Sequence, residues 1–314
     1  MNIIQDILLS DYFNSHPPVL IDIGASGEIN VKWKQIAPYS TCIAFDADDR
    51  DFQIEEEANK AYKKLITVNR IVTAHQANNQ TFYLTSSPYC SSLLEPDENK
   101  LSPWVFKDLF RVEKITTLPA ITIQEALKQA GISYIDWFKS DTQGTDLRLF
   151  TELPGGILNG ILAAEFEPGI MDAYKGEDKL HMIMREMDKG DFWLSTMDVK
   201  GTQRLNASYS KSRGSSFAKR SIRTSPCWAE VTYLRQPFSN ATQRQLLLLF
   251  VFAWLEKQFG FALEVTDYAL TKFDDTIFKT CRQTLLKKIK AENWKIPLVI
   301  LKRQLSKVFS NINE

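Results

Sequence analysis

The sequence predicts an α/β fold, a mostly parallel sheet with helices on both faces followed by a C-terminal helical appendage, and three observations predict it. Apolar runs of strand length recur at 19–23, 41–45, 65–72, 81–84, 134–139, 160–166, 191–197 and 227–235. Helical periodicity separates several of them, notably at 122–130, 145–152 and 177–189, and strands alternating with helices build parallel sheets covered on both faces. From Thr242 onward the pattern is helical only, at 245–259, 274–290 and 297–309. The expected organisation is a leading helix within 1–18, ended by Pro17-Pro18, a sheet domain over 19–238 and a helical appendage over 239–314.

The first two strands carry the clearest functional signal. Val19-Leu20-Ile21-Asp22-Ile23 runs into Gly24-Ala25-Ser26-Gly27, and a second apolar run closes on Cys42-Ile43-Ala44-Phe45-Asp46. Small residues after strand one let the backbone bend and approach a ligand, while a carboxylate after strand two can accept both hydroxyls of a ribose. This is how a Rossmann-type sheet presents a nucleoside cofactor. The glycines read G-x-x-G rather than G-x-G-x-x-G, and Asp22 and Glu28 would repel a pyrophosphate. A cofactor without phosphate and with a positive centre fits better, and S-adenosylmethionine carries both a sulfonium and an ammonium. A nicotinamide-dependent oxidoreductase is correspondingly disfavoured.

Further along, Ile135-Asp136-Trp137-Phe138-Lys139 leads into Ser140-Asp141-Thr142-Gln143-Gly144, delivering Lys139, Asp141 and Gln143 at alternate positions before a helix. Asp141 would either meet the cofactor's reactive end or, with Thr142, cap that helix. Ala163-Ala164-Glu165-Phe166-Glu167-Pro168 ends another strand with two acids on one side of the pleat. With Asp141 they could bind a metal, hold an ammonium or deprotonate a hydroxyl. Ser91-Ser92 before Leu93-Leu94 could contact a ligand or cap a turn.

The bulk composition bounds these readings. With 314 residues, 44% hydrophobic and 24% charged, the chain suits one large domain with an appendage. Cys42, Cys90, Cys227 and Cys281 and three histidines are dispersed, so neither a metal site nor a disulfide framework is expected. The start is acidic, unlike a secretory leader, and the longest apolar run, 246–255, is about half a bilayer span. A soluble, cytoplasmic protein is expected. A net charge of zero hides a partition: 200–226, a Ser-rich insertion between the last two strands, holds seven Lys or Arg and no acid, and 279–314 holds nine against two acids. These basic segments suit a phosphorylated or lipid-linked acceptor, and the 297–309 helix suits peripheral contact with the inner face of an anionic membrane as well as docking on the core. No nucleic-acid motif accompanies the charge.

Taken together, residues 18–197 resemble the FkbM-type family of S-adenosylmethionine-dependent methyltransferases. The resemblance rests on Asp22-Ile23-Gly24-Ala25, Asp46, Val68-Asn69, Ser91-Ser92-Leu93, the 135–144 segment, and Glu165-Phe166-Glu167-Pro168 followed by Tyr174-x-Gly176, in order. It implies the class I methyltransferase fold, a seven-stranded sheet with an antiparallel last strand, and O-methylation of a hydroxyl, typically on a sugar of a surface glycan or its precursor. It also implies that Asp22, Gly24, Ala25, Ser26 and Gly27 line the methionine side of the donor, that Asp46 takes the ribose and that Asn69 neighbours the adenine. Asp141 would sit beside the charged end, with Lys139 and Gln143 near it. The position that is usually glycine six residues after the first acid is Glu28, and Asp146 replaces a usual Glu. Asp141 or Glu165 would serve as base, with Lys139 in the catalytic set and His181 a weaker candidate. The rival of another class is a non-catalytic binding protein that retains the fold.

Overall fold

The computed structural model describes residues 2–25, 30–47, 61–206, 209 and 221–293. The chain divides into two compact units, Leu8–Phe238 and Met1–Ile7 together with Ser239–Glu314.

The larger unit is built on a seven-stranded sheet. Its strands are β1 (Val19–Ile23), β2 (Thr41–Phe45), β3 (Lys64–Val68), β7 (Trp137–Ser140), β8 (Ala163–Phe166), β9 (Phe192–Gln203) and β10 (Thr224–Arg235), in the order β3-β2-β1-β7-β8-β10-β9. The first five are parallel, and β10 runs antiparallel to both β8 and β9. This is a Rossmann-like arrangement. Every residue of β1 and β2 is buried, so both read as unbroken apolar runs rather than as alternating ones. Between β1 and β7 the strand order reverses. This reversal is the topological switch point, and the carboxyl edge of the sheet there is where open α/β sheets take ligands.

One sheet face carries Ile21, Ile23, Ile43, Phe45, Phe138, Phe166 and Val231 in one core, with the helices Ile123–Ala130, Asp146–Thr151 and Leu180–Met187 packed on it. Phe138, Phe150 and Phe166 meet at centroid separations of 5.3 to 5.9 Å in tilted and edge-to-face geometry, which aromatic quadrupoles favour over face-to-face stacking. On the opposite face the fully buried Trp33 packs edge-to-face on Trp137 at 5.9 Å.

A small second sheet, β4 (Ile71–Val72), β6 (Val112–Ile121) and β5 (Asn79–Thr85) in the order β4-β6-β5, departs from the sequence expectation. The expected strand 65–72 is two strands in two sheets, broken at Asn69 and Arg70, where the Arg70 amide turns back onto the Val68 carbonyl at 3.0 Å. No strand was expected at β6, because Pro119 sits inside it and several of its positions face solvent. The last two strands extend past the expected ends. Thr224 pairs with Gln203, so the two ends of the 200–226 segment belong to a long hairpin, and 207–208 and 210–220 lie outside the described residues.

In the smaller unit, residues Met1–Ile7 cluster with the helices Gln243–Leu255, Phe259–Lys272 and Thr276–Asn293. A capping box, Thr242 with Gln245, starts the first of the three. Leu246 to Ala253 are all buried, so this helix is apolar all round. The sequence reads 245–259 as one helix. Instead Lys257 takes a left-handed conformation (φ 58°) and a second helix begins at Phe259. The first helix is Ile3–Leu8, short within the 1–18 expected for the leading helix, with a 3-10 turn at Asp11–Phe13. The expected 297–309 helix lies outside the described residues. Among the described residues no helix is long and apolar enough to cross a membrane.

Candidate functional site

The site begins where the chain needs a glycine. Gly24 follows β1 with φ 79°, and a Cβ placed on it would lie 2.1 Å from the Asp141 carbonyl oxygen. Only a residue without a side chain lets the turns after β1 and β7 touch. The amides of Gly24 and Ala25 both donate to the Phe45 carbonyl, at 2.9 and 3.0 Å, and the Asp141 amide donates to the Ile23 carbonyl at 2.9 Å. The ends of β1, β2 and β7 are thereby locked together at the switch point.

A cleft opens over this junction. Gly24, Asp46, Asp141 and Gln143 line it, with Phe45, Ile71, Val72, Phe82 and Leu93 as an apolar wall. Among its described lining residues Arg70 is the one cation. Asn69 is exposed and is not among the lining residues, whereas the three residues after it are. Ser26 and Gly27 lie outside the described residues.

The turn after β7 is built with unusual backbone. Gln143 adopts φ 57° and Gly144 φ 115°, and a Cβ on Gly144 would press on Glu177 and Leu94 at 2.9 and 3.0 Å. Positive φ at a non-glycine residue is uncommon and persists where surroundings over-determine it. Here Ser92 donates to the Gln143 carbonyl at 2.9 Å and accepts from the Leu94 amide at 3.0 Å. Ser91 accepts from the Thr85 amide, so both serines hold turns. Buried Asp146 gathers the rest. It accepts from Ser140 Oγ at 2.7 Å, from the Thr142 amide and hydroxyl at 2.9 and 2.6 Å, and from the Glu167 amide at 3.3 Å. Asp141 does not cap the following helix. Its carboxylate accepts from Gln143 Nε2 at 2.6 Å, and Thr142 Oγ1 takes the Thr145 amide instead.

Glu167, just past β8, turns towards the same point, and its carboxyl hydrogen-bonds that of Asp141. Burial raises the pKa of both; the Asp141 charge raises that of Glu167 further, whereas the hydrogen bond from Glu167 favours ionised Asp141. Glu167 is pushed up to about 9 by burial and by the Asp141 charge, and Asp146 to about 6 by the same two causes. Asp141 is raised chiefly by burial, against the opposing pull of Lys139. Two carboxyls in this position share a proton at neutral pH. Tyr174, itself buried, extends the network: its phenol lies 2.8 Å from the Cys90 carbonyl and 3.2 Å from Gln143 Oε1.

Glu165 belongs elsewhere. Asp22 pairs in register with Lys139, Lys139 with Glu165, and Glu165 with Thr232, so these four residues form one row across β1, β7, β8 and β10. Lys139 Nζ donates to Asp22 Oδ1 at 2.6 Å. Lys32 reaches in from the segment after β1 and donates to Glu165 Oε2 and Thr232 Oγ1, both at 3.0 Å. Burial alone would lower the Lys139 pKa, but the Asp22, Glu165 and Asp141 carboxylates outweigh it and the pKa rises. Asp22, Lys139 and Glu165 are not among the cleft-lining residues, whereas Asp46 and Asp141 are.

No protein-family model matches the chain, and no curated protein matches it. A solved structure of an uncharacterized protein from Listeria monocytogenes serotype 4b is similar at 9% identity over 92% of this chain and 96% of that one, with a TM-score of 0.30. Neither fold nor function transfers at that likeness.

The sequence thus pointed to Asp141, Gln143, Gly24 and Asp46, which the structure brings together. It grouped Glu165 with Glu167, which the structure separates, and it contained no signal for Lys32. That lysine, on the 3-10 turn Val31–Trp33 after β1, meets a glutamate 133 residues away, and only the fold brings them together. His181 is exposed on the helix Leu180–Met187. Among the described residues no cluster of His, Cys, Asp or Glu forms a metal-ligand set.

Proposed function

We propose that the chain is an S-adenosylmethionine-dependent methyltransferase that transfers a methyl group to a hydroxyl, most simply that of a sugar in a surface glycan or its precursor. The observation that carries this is the cleft at the switch point, lined by a carboxylate at Asp46, a second at Asp141 and an apolar wall, with Gly24 pressed against the Asp141 backbone. A flat base suits the wall, a ribose suits Asp46 after β2, and a cationic tail suits Asp141. A pyrophosphate suits none of these, which weighs against a nicotinamide cofactor. The strand order supports the same reading, because a seven-stranded sheet whose last strand alone is antiparallel is the arrangement that the FkbM-type resemblance implies.

When bound, the donor would supply an electrophilic methyl on a sulfonium. The chain's own part is to hold the acceptor oxygen in line with that methyl and to remove its proton. We assign the proton to the Asp141–Glu167 pair. A carboxylate with a raised pKa is a stronger base than a solvated one, and the half-protonated pair keeps a negative charge beside the cationic donor. Glu165 is held by Lys32 and serves as a counter-ion in the row.

Calorimetric titration with S-adenosylhomocysteine, with NADH in parallel, tests the reading. Micromolar binding of the first alone is expected. Binding of NADH alone would replace the methyltransferase by an oxidoreductase, and binding of neither would leave a non-catalytic partner protein.

A further inference from the structure

An aromatic group next to the acid pair has no part in the donor cleft. Phe106 and Phe110, from the segment between Glu98–Leu101 and β6, lie 5.3 Å apart at their ring centroids. Trp104 stacks on Phe106 at 6.1 Å with the planes 10° apart, and the Arg204 guanidinium lies over Trp104 at 5.8 Å. Trp228 on β10 meets Phe106 edge-on at 6.4 Å. Trp104 is buried, but Phe106, Phe110 and Trp228 are each only half-buried, so ring surface faces solvent.

Two connections tie this shelf to the acids. Phe110 meets Tyr174 edge-on at 5.6 Å, and Tyr174 leads through Gln143 to Asp141. Trp228 is bridged to Gly169, two residues beyond Glu167 on the same loop. The rings are thus linked to the Asp141–Glu167 pair through Tyr174 and Gln143 on one side and through the Gly169–Trp228 bridge on the other, and none of them lines the cleft that holds Asp46 and the apolar wall.

The geometry points to this shelf as the acceptor site, taking a pyranoside whose C–H face lies on Phe106, Phe110 and Trp228 while a ring hydroxyl reaches the acid pair. The inference rests on the methyltransferase reading. A saturated ring bearing hydroxyls presents apolar C–H bonds to one surface and O–H donors to the other, matching rings beside carboxyls. A flat aromatic acceptor would satisfy the rings alone, and a free phosphate the Arg204 side alone.

Saturation-transfer NMR on the full chain with S-adenosylhomocysteine bound, using a panel of methyl glycosides (glucoside, galactoside, mannoside, rhamnoside and N-acetylglucosaminide), tests this. Strong transfer to the axial C–H protons of one sugar face is expected, and Phe106→Leu and Trp228→Leu should each weaken sugar binding roughly tenfold while leaving S-adenosylhomocysteine affinity unchanged. The proton-by-proton pattern in the unaltered protein remains decisive if either variant folds poorly. No transfer to any glycoside, or transfer that both variants leave unchanged, would overturn the shelf. Sugar binding that survives in a protein unable to bind S-adenosylhomocysteine would instead overturn the methyltransferase reading and keep the shelf.

Discussion

Glu165 and Glu167 are two residues apart at the end of β8, yet they live in opposite electrostatic worlds. Glu165 sits in a row where each carboxylate faces a lysine, Asp22 with Lys139 and Glu165 with Lys32. Glu167 sits among acids, hydrogen-bonded to Asp141 and close to Asp146. Both are largely withdrawn from water. The difference teaches that burial alone does not mark a reactive carboxylate: in the row it is offset by cations and holds strands in place, and at the sheet edge it is left to be satisfied by a shared proton.

Breaking the backbone junction should have the largest effect. Gly24→Ala forces a Cβ into the Asp141 carbonyl from a left-handed conformation, so the loops must part. We expect a loss of about 3 kcal/mol or more in denaturant unfolding, and no detectable S-adenosylhomocysteine binding. Wild-type affinity in this variant would show that the junction does not shape the cleft.

Next comes the centre of the row. Lys139→Met takes from Asp22 its ion-pair partner, while Glu165 keeps Lys32. Stripping one partner from a buried pair costs about 3 to 5 kcal/mol, so a marked fall in unfolding free energy is expected. Asp141→Asn should behave in the opposite way. It removes a carboxylate that burial disfavours, leaving the fold as stable as before or more so, while the proposed methyl transfer would fall by about 10² to 10⁴. A stable Lys139→Met or an unstable Asp141→Asn would erase the distinction between the two regions.

The contrast also explains what could be seen in the sequence. β1 and β2 were plain because strands buried on both faces are continuous apolar runs, and the turn at Gly24 was plain because so few residues tolerate it. The break between β3 and β4 and the whole of β6 were hidden, since both depend on a second sheet whose pairing partners are remote and whose surface is partly wet. The helix Phe259–Lys272 was hidden by apolar residues running through the turn at Lys257. Asp141 could be singled out by its place after a strand. The assignment of Glu165 and Glu167 could not be made, because alternation puts both on one side of a strand and only three-dimensional neighbours separate them. Lys32 and the ring shelf are likewise assembled from residues distant in sequence.

pH separates the two glutamates most directly. For Glu167 the folded-state pKa, about 9, exceeds the ordinary carboxylate value of 4.5, so the folded protein holds a proton that the unfolded chain releases. Its contribution is fully present below about pH 4.5 and is lost as pH rises towards 9, by at most about 1.4 kcal/mol per pH unit. The decisive measurement is the unfolding free energy of the wild type, Glu167→Gln and Glu165→Gln across pH 5 to 9. The account predicts that Glu167→Gln flattens the decline and is no less stable than wild type at pH 8, whereas Glu165→Gln is less stable by about 1 to 3 kcal/mol and keeps the decline. Equal pH profiles for the two variants would contradict it.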